Sequence, residues 1–260
     1  EKFLRSIAGE SATGEQMPIT VDGQQGAKLP PKDQIQAIRI NQNVFSAQYD
    51  NPSGWGIEIY TRSNVDKFSG SIWAGYEDSR FNAADPFIDR KIPHQSHNLA
   101  FSLTGPVTKK SMFSIYFQEN QSKSSSAINA TILDSQLRPL AFQNIFQNPS
   151  KGVNGSITLG ADLNKNNKVT MLYYFSNYNS KGESVEGFSL PSRANDNEFQ
   201  YHSFRLSETF IANENLINQF RVSATYQSSR DFGGSNEVAV NVLEAFFGGG
   251  SQNNSSRKNL

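Results

Sequence analysis

The chain has 260 residues, equal numbers of basic and acidic side chains at 24 each, and no cysteine. Zero net charge removes the broad electrostatic attraction that nucleic acid or a strongly acidic surface would require, and the lack of cysteine removes disulfides, thiolate metal sites and cysteine nucleophiles. No apolar run approaches the roughly 20 residues of a membrane-spanning helix, but the strands of a transmembrane barrel need only about 9–11 alternating residues each and stay hidden beneath a mean hydropathy of −0.55.

Up to about residue 64 the pattern is mixed. Residues 18–23, PITVDG, predict a short strand entering a turn, with Asp22 and Gly23 supplying the turn chemistry. Leu29, Pro30 and Pro31 then introduce residues 34–38, read as one or two helical turns with Asp33 as N-cap. Residues 39–41 predict a strand, 45–49 an irregular connection, and 54–61 a strand in which two glycines suggest close backbone approach. A small α+β unit is expected here.

From residue 66 onward the chain changes to long period-two stretches. Phe68, Gly70, Ile72, Ala74 and Tyr76 share one parity, against Ser69, Ser71, Trp73, Gly75 and Glu77. Residues 96–120 follow as a hairpin, with Leu99, Phe101, Leu103 and Val107 on its first arm and Phe113, Ile115 and Phe117 on its second. The cleanest alternation is Val153, Gly155, Ile157, Leu159, Ala161 and Leu163, which turns through 164–167 into a strand over 169–178. Another pair covers 199–211 and 216–227, with Phe220, Val222, Ala224 and Tyr226 on one parity. Glu208 shares parity with Phe204, Leu206 and Phe210, so it is expected near a rim or against a partner.

Tight turns at 108–111, 164–167 and 212–215 alternate with long polar connections at about 79–96, 121–152, 179–197 and from 228 onward. Short turns on one side and long loops on the other are the habit of outer-membrane barrels, whereas a compact sandwich keeps most loops short. The expected fold is mainly β: a transmembrane antiparallel barrel wall of about seven strands, preceded by a small α+β unit. Arg221, Asp162 and Glu77 lie on the polar parity and are expected to face the lumen or that unit. Some of Trp73, Tyr76, Tyr116, Phe117, Tyr173, Tyr174, Tyr201 and Tyr226 are expected to form an interfacial girdle.

The run LPPKDQIQAIRINQNVFSAQYD followed by GWGIEIYTRSNVDKFSGSIW resembles the end of the plug of TonB-dependent outer-membrane receptors passing into the first barrel strand. LTGPVTKKSMFSIYFQEN resembles the first periplasmic turn with its strands, and GFSLPSRA and NVLEAFFGGG resemble loop segments of the Oar-like subgroup. The resemblance covers most of the chain from about Pro18. It implies a Gram-negative outer-membrane transporter with a barrel of about 22 strands filled by an N-terminal plug. The chain is then expected to be a fragment, with residues 1–65 the C-terminal part of the plug and 66–260 the N-terminal part of the barrel. Implied partners are outer-membrane lipid, a TonB complex reached through a segment outside the chain, and an extracellular ligand. Neither an enzyme nor a nucleic-acid partner is expected.

His94 and His97 with Asp85 and Asp89 read as a solvated loop, since no helix aligns them as metal ligands. His202 is expected at a rim or in the lumen, and Gly248, Gly249 and Gly250 as a flexible spacer lacking phosphate-loop spacing. Asn120, Asn129 and Asn154 open glycosylation-like triplets without meaning in a bacterial envelope. No catalytic, cofactor-binding or metal-binding residue is assigned, no cofactor is expected, and no ligand-binding residue is named. The alternative reading is a soluble or surface β-sandwich acting as a carbohydrate-binding or adhesion module, which must bury the apolar parity between two sheets.

Overall fold

A computed structural model of the chain describes residues 19–21, 24–25, 35–41, 56–83, 92–213, 216–233, 235–251 and 254–259. These residues form fourteen strands and two short 3-10 turns, at Ser79–Phe81 and Pro191–Arg193, with no α-helix among them. They make a small four-stranded sheet, a large eight-stranded one and a two-stranded ribbon.

The small sheet holds β1 (Ile19–Val21), β2 (Gln24–Gln25), β3 (Ile35–Asn41) and β4 (Gly56–Thr61) in the order β2-β1-β4-β3. Its core is Val21, Ile57 and Ile59, with Ile19 and Ile35 packed against them. The expected helical turns at 34–38 are corrected to strand β3. A bulge between Ile35 and Ala37 sets Ile35 opposite Thr61, while Ile38 and Ile40 face Ile59 and Ile57. The bulge puts Ile35 and Ile38 on one face at a separation of three residues, which imitates a helical period. Asp33, Gly54 and residues 45–49 lie outside the described residues.

The large sheet is a continuous antiparallel meander of β5 (Ser69–Asp78), β6 (Gln95–Thr108), β7 (Ser111–Leu133), β8 (Pro139–Asn164), β9 (Asn167–Glu183), β10 (Asn195–Asn213) and β11 (Leu216–Gly233). An eighth strand, β14 (Ser255–Asn259), pairs with β11 where the sequence pattern shows none. The sheet is open, its edges being β5 and β14. At the tight turns Thr108 pairs with Ser111, Asn164 with Asn167 and Asn213 with Leu216. Thr108 and Ser111 hydroxyls lie 2.7 Å apart, and Asn164 Oδ1 accepts from the Asn166 amide at 2.8 Å.

The register links the apolar positions into rows. One runs Ile72, Phe101, Phe117, Gly155, Phe175, His202, Tyr226; the next runs Leu103, Ile115, Ile157, Tyr173, Phe204, Ala224. Ile72 is 75% exposed, Ile157 48% and Phe220 50%, so this face has no cover among the described residues. Along β8 the band from Val153 to Leu163 climbs about 25 Å at about 3.3 Å per residue and a tilt near 40°. Across β5 to β11 the face is about 30 Å wide. The rows through Gly155, Ile157 and Leu159 are apolar from strand to strand, while Glu119, Asn177 and Gln200 share the Val153 row and Glu208 the Ala161 row; so large an exposed apolar surface marks an interaction face. The 25 Å along β8 is about the height of a lipid-facing band, and among the described residues no second sheet covers this face to make a sandwich.

The expected loop at 121–152 is corrected to strand. β7 and β8 remain paired without a register break from Ser111 and Ala161 out to Leu133 and Pro139, and the ribbon stands about 40 Å beyond the apolar band. Its chemistry changes phase. Within the band the outward apolar residues of β7 are Phe113, Ile115 and Phe117, at odd positions; beyond it Ile128 and Ala130, at even positions, are buried with Val185. Phe142, Phe146, Leu190, Ala194 and Phe246 pack on this second core. β12 (Val240–Val242) and β13 (Phe246–Gly248) form the ribbon that covers it. The backbone fastens the cover: the Asn129 amide donates to Gly187 O at 2.7 Å and the Thr131 amide to Ala245 O at 3.0 Å.

At the far tip Asp134 accepts from the amides of Gln136 and Arg138, both at 2.8 Å, and from Arg138 Nε at 3.0 Å. These bonds, the Arg138 amide first, hold its carboxyl below the ordinary value of 3.8. A depressed carboxyl stabilises the turn above its unfolded value and ceases to do so as the pH falls through the folded one. The tip is therefore expected to be ordered at neutral pH and to loosen only below the ordinary carboxylate range. Backbone amide exchange of Arg138 measured against pH checks this.

Candidate functional site

The face opposite the apolar band is the candidate site, because period two sends every second side chain there and those side chains are Ser, Thr, Asn, Gln and Tyr. Register places Ser71, Ser102, Tyr116, Ser156, Tyr174, Ser203 and Thr225 in one row. In the row toward the tight turns Thr104 and Ser114, both 1% exposed, share a hydroxyl hydrogen bond of 2.7 Å. In the row away from them, Tyr116 Oη donates to Gln118 Oε1 at 2.6 Å and Gln118 Nε2 to Asn120 Oδ1 at 3.2 Å. The rings of Tyr174 and Tyr201 lie 5.9 Å apart. Backbone donors and acceptors are consumed by the ladders, so only side chains remain to meet a ligand.

This face also receives the segment leaving the small sheet. Ser63 Oγ donates to Asp162 Oδ1 at 2.5 Å, and Asn64 Nδ2 donates to Asp162 Oδ2. The Ser63 backbone lies directly over Gly160, where a Cβ would stand 2.6 Å from Ser63 O and 2.9 Å from its Cα. A side chain at 160 would lift the segment, so glycine is required there by close approach. Asp162, on the polar parity, thus meets the segment that leaves the small sheet. Replacing it by alanine removes two hydrogen bonds to a charged acceptor, each worth about 1.5–3 kcal/mol at most. Docking of residues 62–64 is expected to weaken by at least the lower figure, read as faster proteolysis or greater spin-label mobility at position 63 in Asp162→Ala.

The other singled-out residues fall as follows. Glu77 lies on the polar face, receiving Ser96 Oγ at 3.4 Å, with His94 Nε2 3.9 Å away. Arg221 is exposed on the same face and donates to Gln219 Oε1 at 2.7 Å. Glu208 sits opposite Val169, near the 164–167 turn, and accepts from Asn167 Nδ2 at 2.8 Å. That is a rim position with a partner. His202 is not in the lumen: it lies in the apolar row between Phe175 and Tyr226, and its Nδ1 is 2.9 Å from Tyr173 Oη. With Phe101, Phe117 and Phe175 in that row, one below the step to mixed polarity, the apolar face carries an aromatic belt, while Trp73, Tyr116, Tyr174 and Tyr201 turn to the polar face. Among the described residues no three His, Asp or Glu side chains gather as a metal site; Asp85 and Asp89 lie outside them.

The flexible-spacer reading of residues 248–250 is corrected. Gly249 has φ +76°, and a Cβ on it would meet Val238 O at 1.9 Å; one on Gly250 would meet Ser235 O at 2.4 Å. These glycines are there for tight backbone packing. Arg193 Nη1 donates to Gly250 O at 2.9 Å. The amides of Leu190 and Phe247 donate to Phe247 O and Phe188 O at 2.9 and 2.8 Å, and the Phe188 and Phe247 rings meet edge-on at 6.4 Å. The two segments GFSLPSRA and NVLEAFFGGG are therefore one unit, clasped over the β7–β8 extension. At the end of β5, Arg80 grips Asp78 with Nε at 3.0 Å and Nη2 at 2.8 Å, which holds that carboxyl far below the usual range.

No protein-family model matches the sequence, and no curated protein does. Solved structures do. The ferric enterobactin receptor PfeA of Pseudomonas aeruginosa, as its Q482A mutant in complex with enterobactin, aligns over 93% of this chain and 37% of its own at 13% identity, with a TM-score of 0.50. The G324V mutant of the same receptor aligns over 93% and 36% at 13% identity, with a TM-score of 0.49. The chain thus spans about a third of the length of the receptor it resembles. What the Q482A comparison establishes is the fold: the open meander is similar to part of a TonB-dependent receptor barrel.

Proposed function

We propose that the chain is part of a TonB-dependent outer-membrane receptor, with residues 1–65 the C-terminal part of its plug and 66–260 the N-terminal part of its barrel. The observation that carries this is the two-sidedness of one continuous sheet. Its outer face is an uncovered apolar band about 25 Å tall, and its inner face is polar and holds Ser63 and Asn64 through Asp162. In this reading the tight turns are periplasmic, and the β7–β8 extension with its clasp stands outside the cell. No bond is made or broken. A ligand bound on the extracellular side passes when an energised TonB complex moves the plug, and Asp162 marks where the plug's last residues are tied to the wall.

PfeA is a ferric enterobactin receptor, seen with enterobactin bound; for this chain an extracellular ligand follows only by that fold likeness. The Oar-like assignment rests on the two segments that form the clasp. The test is fractionation and heat modifiability of the full-length protein, together with ligand accumulation in cells with and without TonB. A heat-modifiable outer-membrane species with TonB-dependent uptake is expected. A soluble species that does not bind detergent would remove the reading.

A further inference from the structure

The inner wall carries a neutral aromatic and amide surface just beyond the level of the plug contact. Over three consecutive rows the inward positions of β5 to β11, from Ser71, Ser102, Tyr116, Ser156, Tyr174, Ser203 and Thr225 up to Gly75, Asn98, Asn120, Gly152, Tyr178, Phe199 and Ser229, contain no Asp, Glu, Lys or Arg. Charge returns only outside them, at Arg205 on one side and at Glu77 and Asp231 on the other. A lumen that must merely be wet would gain solvation from charged groups; a wall that omits them over seven strands favours a neutral solute.

Within this surface one aromatic ring is laid open. Trp73, 55% exposed, leans along β5 over Gly75, so that a Cβ on Gly75 would stand 2.7 Å from Cη2 and 3.0 Å from Cζ2 of the indole. Its cross-strand neighbour is Ala100, which adds no bulk beside the ring. Next to Ala100 stands Gln118, whose carboxamide is the middle of the Tyr116–Gln118–Asn120 hydrogen-bond chain. The chain runs in one direction, from the phenol hydrogen to the amide group of Asn120, which fixes where donors end and acceptors begin. β5 and β7 are about 10 Å apart, the reach of two neighbouring sugar rings.

We propose that Trp73 and the Gln118–Asn120 amides form a binding subsite for a neutral oligosaccharide on the inner wall. An indole lying flat across a glycine presents a π-face to the C–H face of a pyranose. Fixed carboxamides supply paired donors and acceptors to adjacent hydroxyls, and the absence of charge withholds affinity from anionic chelates and acidic glycans. The inference deepens the receptor reading and rests on it, since it takes this face to be the lumen.

The experiment uses the full-length protein folded in detergent, and the Trp73 signal is taken as the difference between the parent and Trp73→Phe. Maltohexaose, cellohexaose and xylohexaose are titrated, against oligogalacturonate and a neutral Gly/Ser/Asn peptide, by fluorescence and calorimetry. At least one neutral hexasaccharide is expected to bind saturably and perturb Trp73. Trp73→Ala is expected to weaken binding at least tenfold and Asn120→Asp several-fold, while Trp73→Phe retains most of it; heat modifiability in the same samples shows that the variants are folded. Failure of all three sugars to bind a heat-modifiable barrel, equal binding by Trp73→Ala, or preference for the peptide or the acidic glycan would overturn the subsite and leave the barrel reading standing. Loss of heat modifiability in the parent protein would instead remove the barrel reading, and the subsite with it.

Discussion

Arginine in place of Ile157 is expected to destabilise the folded protein by about 2–4 kcal/mol, and the same change at Leu163 by only about 0–1 kcal/mol. Both side chains lie on the apolar parity of β8, and both are exposed, at 48% and 59%. Ile157 is in the middle of the band, paired with Ile115 and Tyr173. Leu163 is beside the Asn164 turn, where a guanidinium reaches the interface. The difference comes from depth alone: the bilayer midplane cannot solvate the charge, whereas the headgroup region can. A packed protein core would penalise both positions by their burial and would show no such gradient. On the polar face Ser223→Glu is expected to be tolerated, because Ser223 is exposed and directly opposite Arg205, which pairs with the introduced charge. Equilibrium unfolding in phospholipid, or the fraction of heat-modifiable species on a gel, reads all three.

The second large effect belongs to the outer module. Ile128, 2% exposed, sits between Val185, Ala130 and the covering segments, so Ile128→Ala is expected to cost about 2–5 kcal/mol through lost burial and the cavity left behind. That loss is local. The amides of Asn129 and Gly187, which pair across the seam at 2.7 and 2.9 Å, are expected to lose hydrogen-exchange protection, while those of residues 153–163 keep theirs. Gln143→Ala, on the opposite side of the same ribbon, is expected to change stability by no more than about 0.5 kcal/mol. A uniform loss of protection through β8 would mean that the module and the wall unfold as one unit.

The contrast between these two regions also explains what the sequence disclosed. Where one face of the sheet is apolar and the other polar, period two holds row after row, and β5 to β11 could be read from Ile72, Phe101, Phe117, Ile157 and Phe220. Beyond the band both sides of the β7–β8 ribbon meet water or protein, and the apolar parity changes from odd to even between Phe117 and Ile128. Ser122, Ser124, Ser125 and Ser126 occupy the crossing, so a pattern search sees a polar connection although every residue is paired. Ile35 misled in the opposite sense, because a single bulge turned a strand's spacing into a helix's. The Asp162 contact was partly legible: its parity placed it inward, but its partners Ser63 and Asn64 are about a hundred residues away, and no local signal joins them. The glycines at 248–250 had no pattern that distinguishes packing from slack.

The central claim is that one parity of this sheet faces lipid. This chain has no cysteine, so single cysteines can be placed along β8 from Leu140 to Leu163 in the full-length protein, with any cysteine elsewhere replaced by serine, spin-labelled, and reconstituted in phospholipid. Collision of each label with oxygen is then compared with collision with a water-soluble nickel chelate. Odd positions from 153 to 163 are expected to favour oxygen, with a maximum near Ile157, and even positions to show none of it. From 140 to 146 no position is expected to favour oxygen, and Phe142 and Phe146 are expected to be the immobile ones. Oxygen preference at even positions of the band, or no alternation along it, would contradict the account.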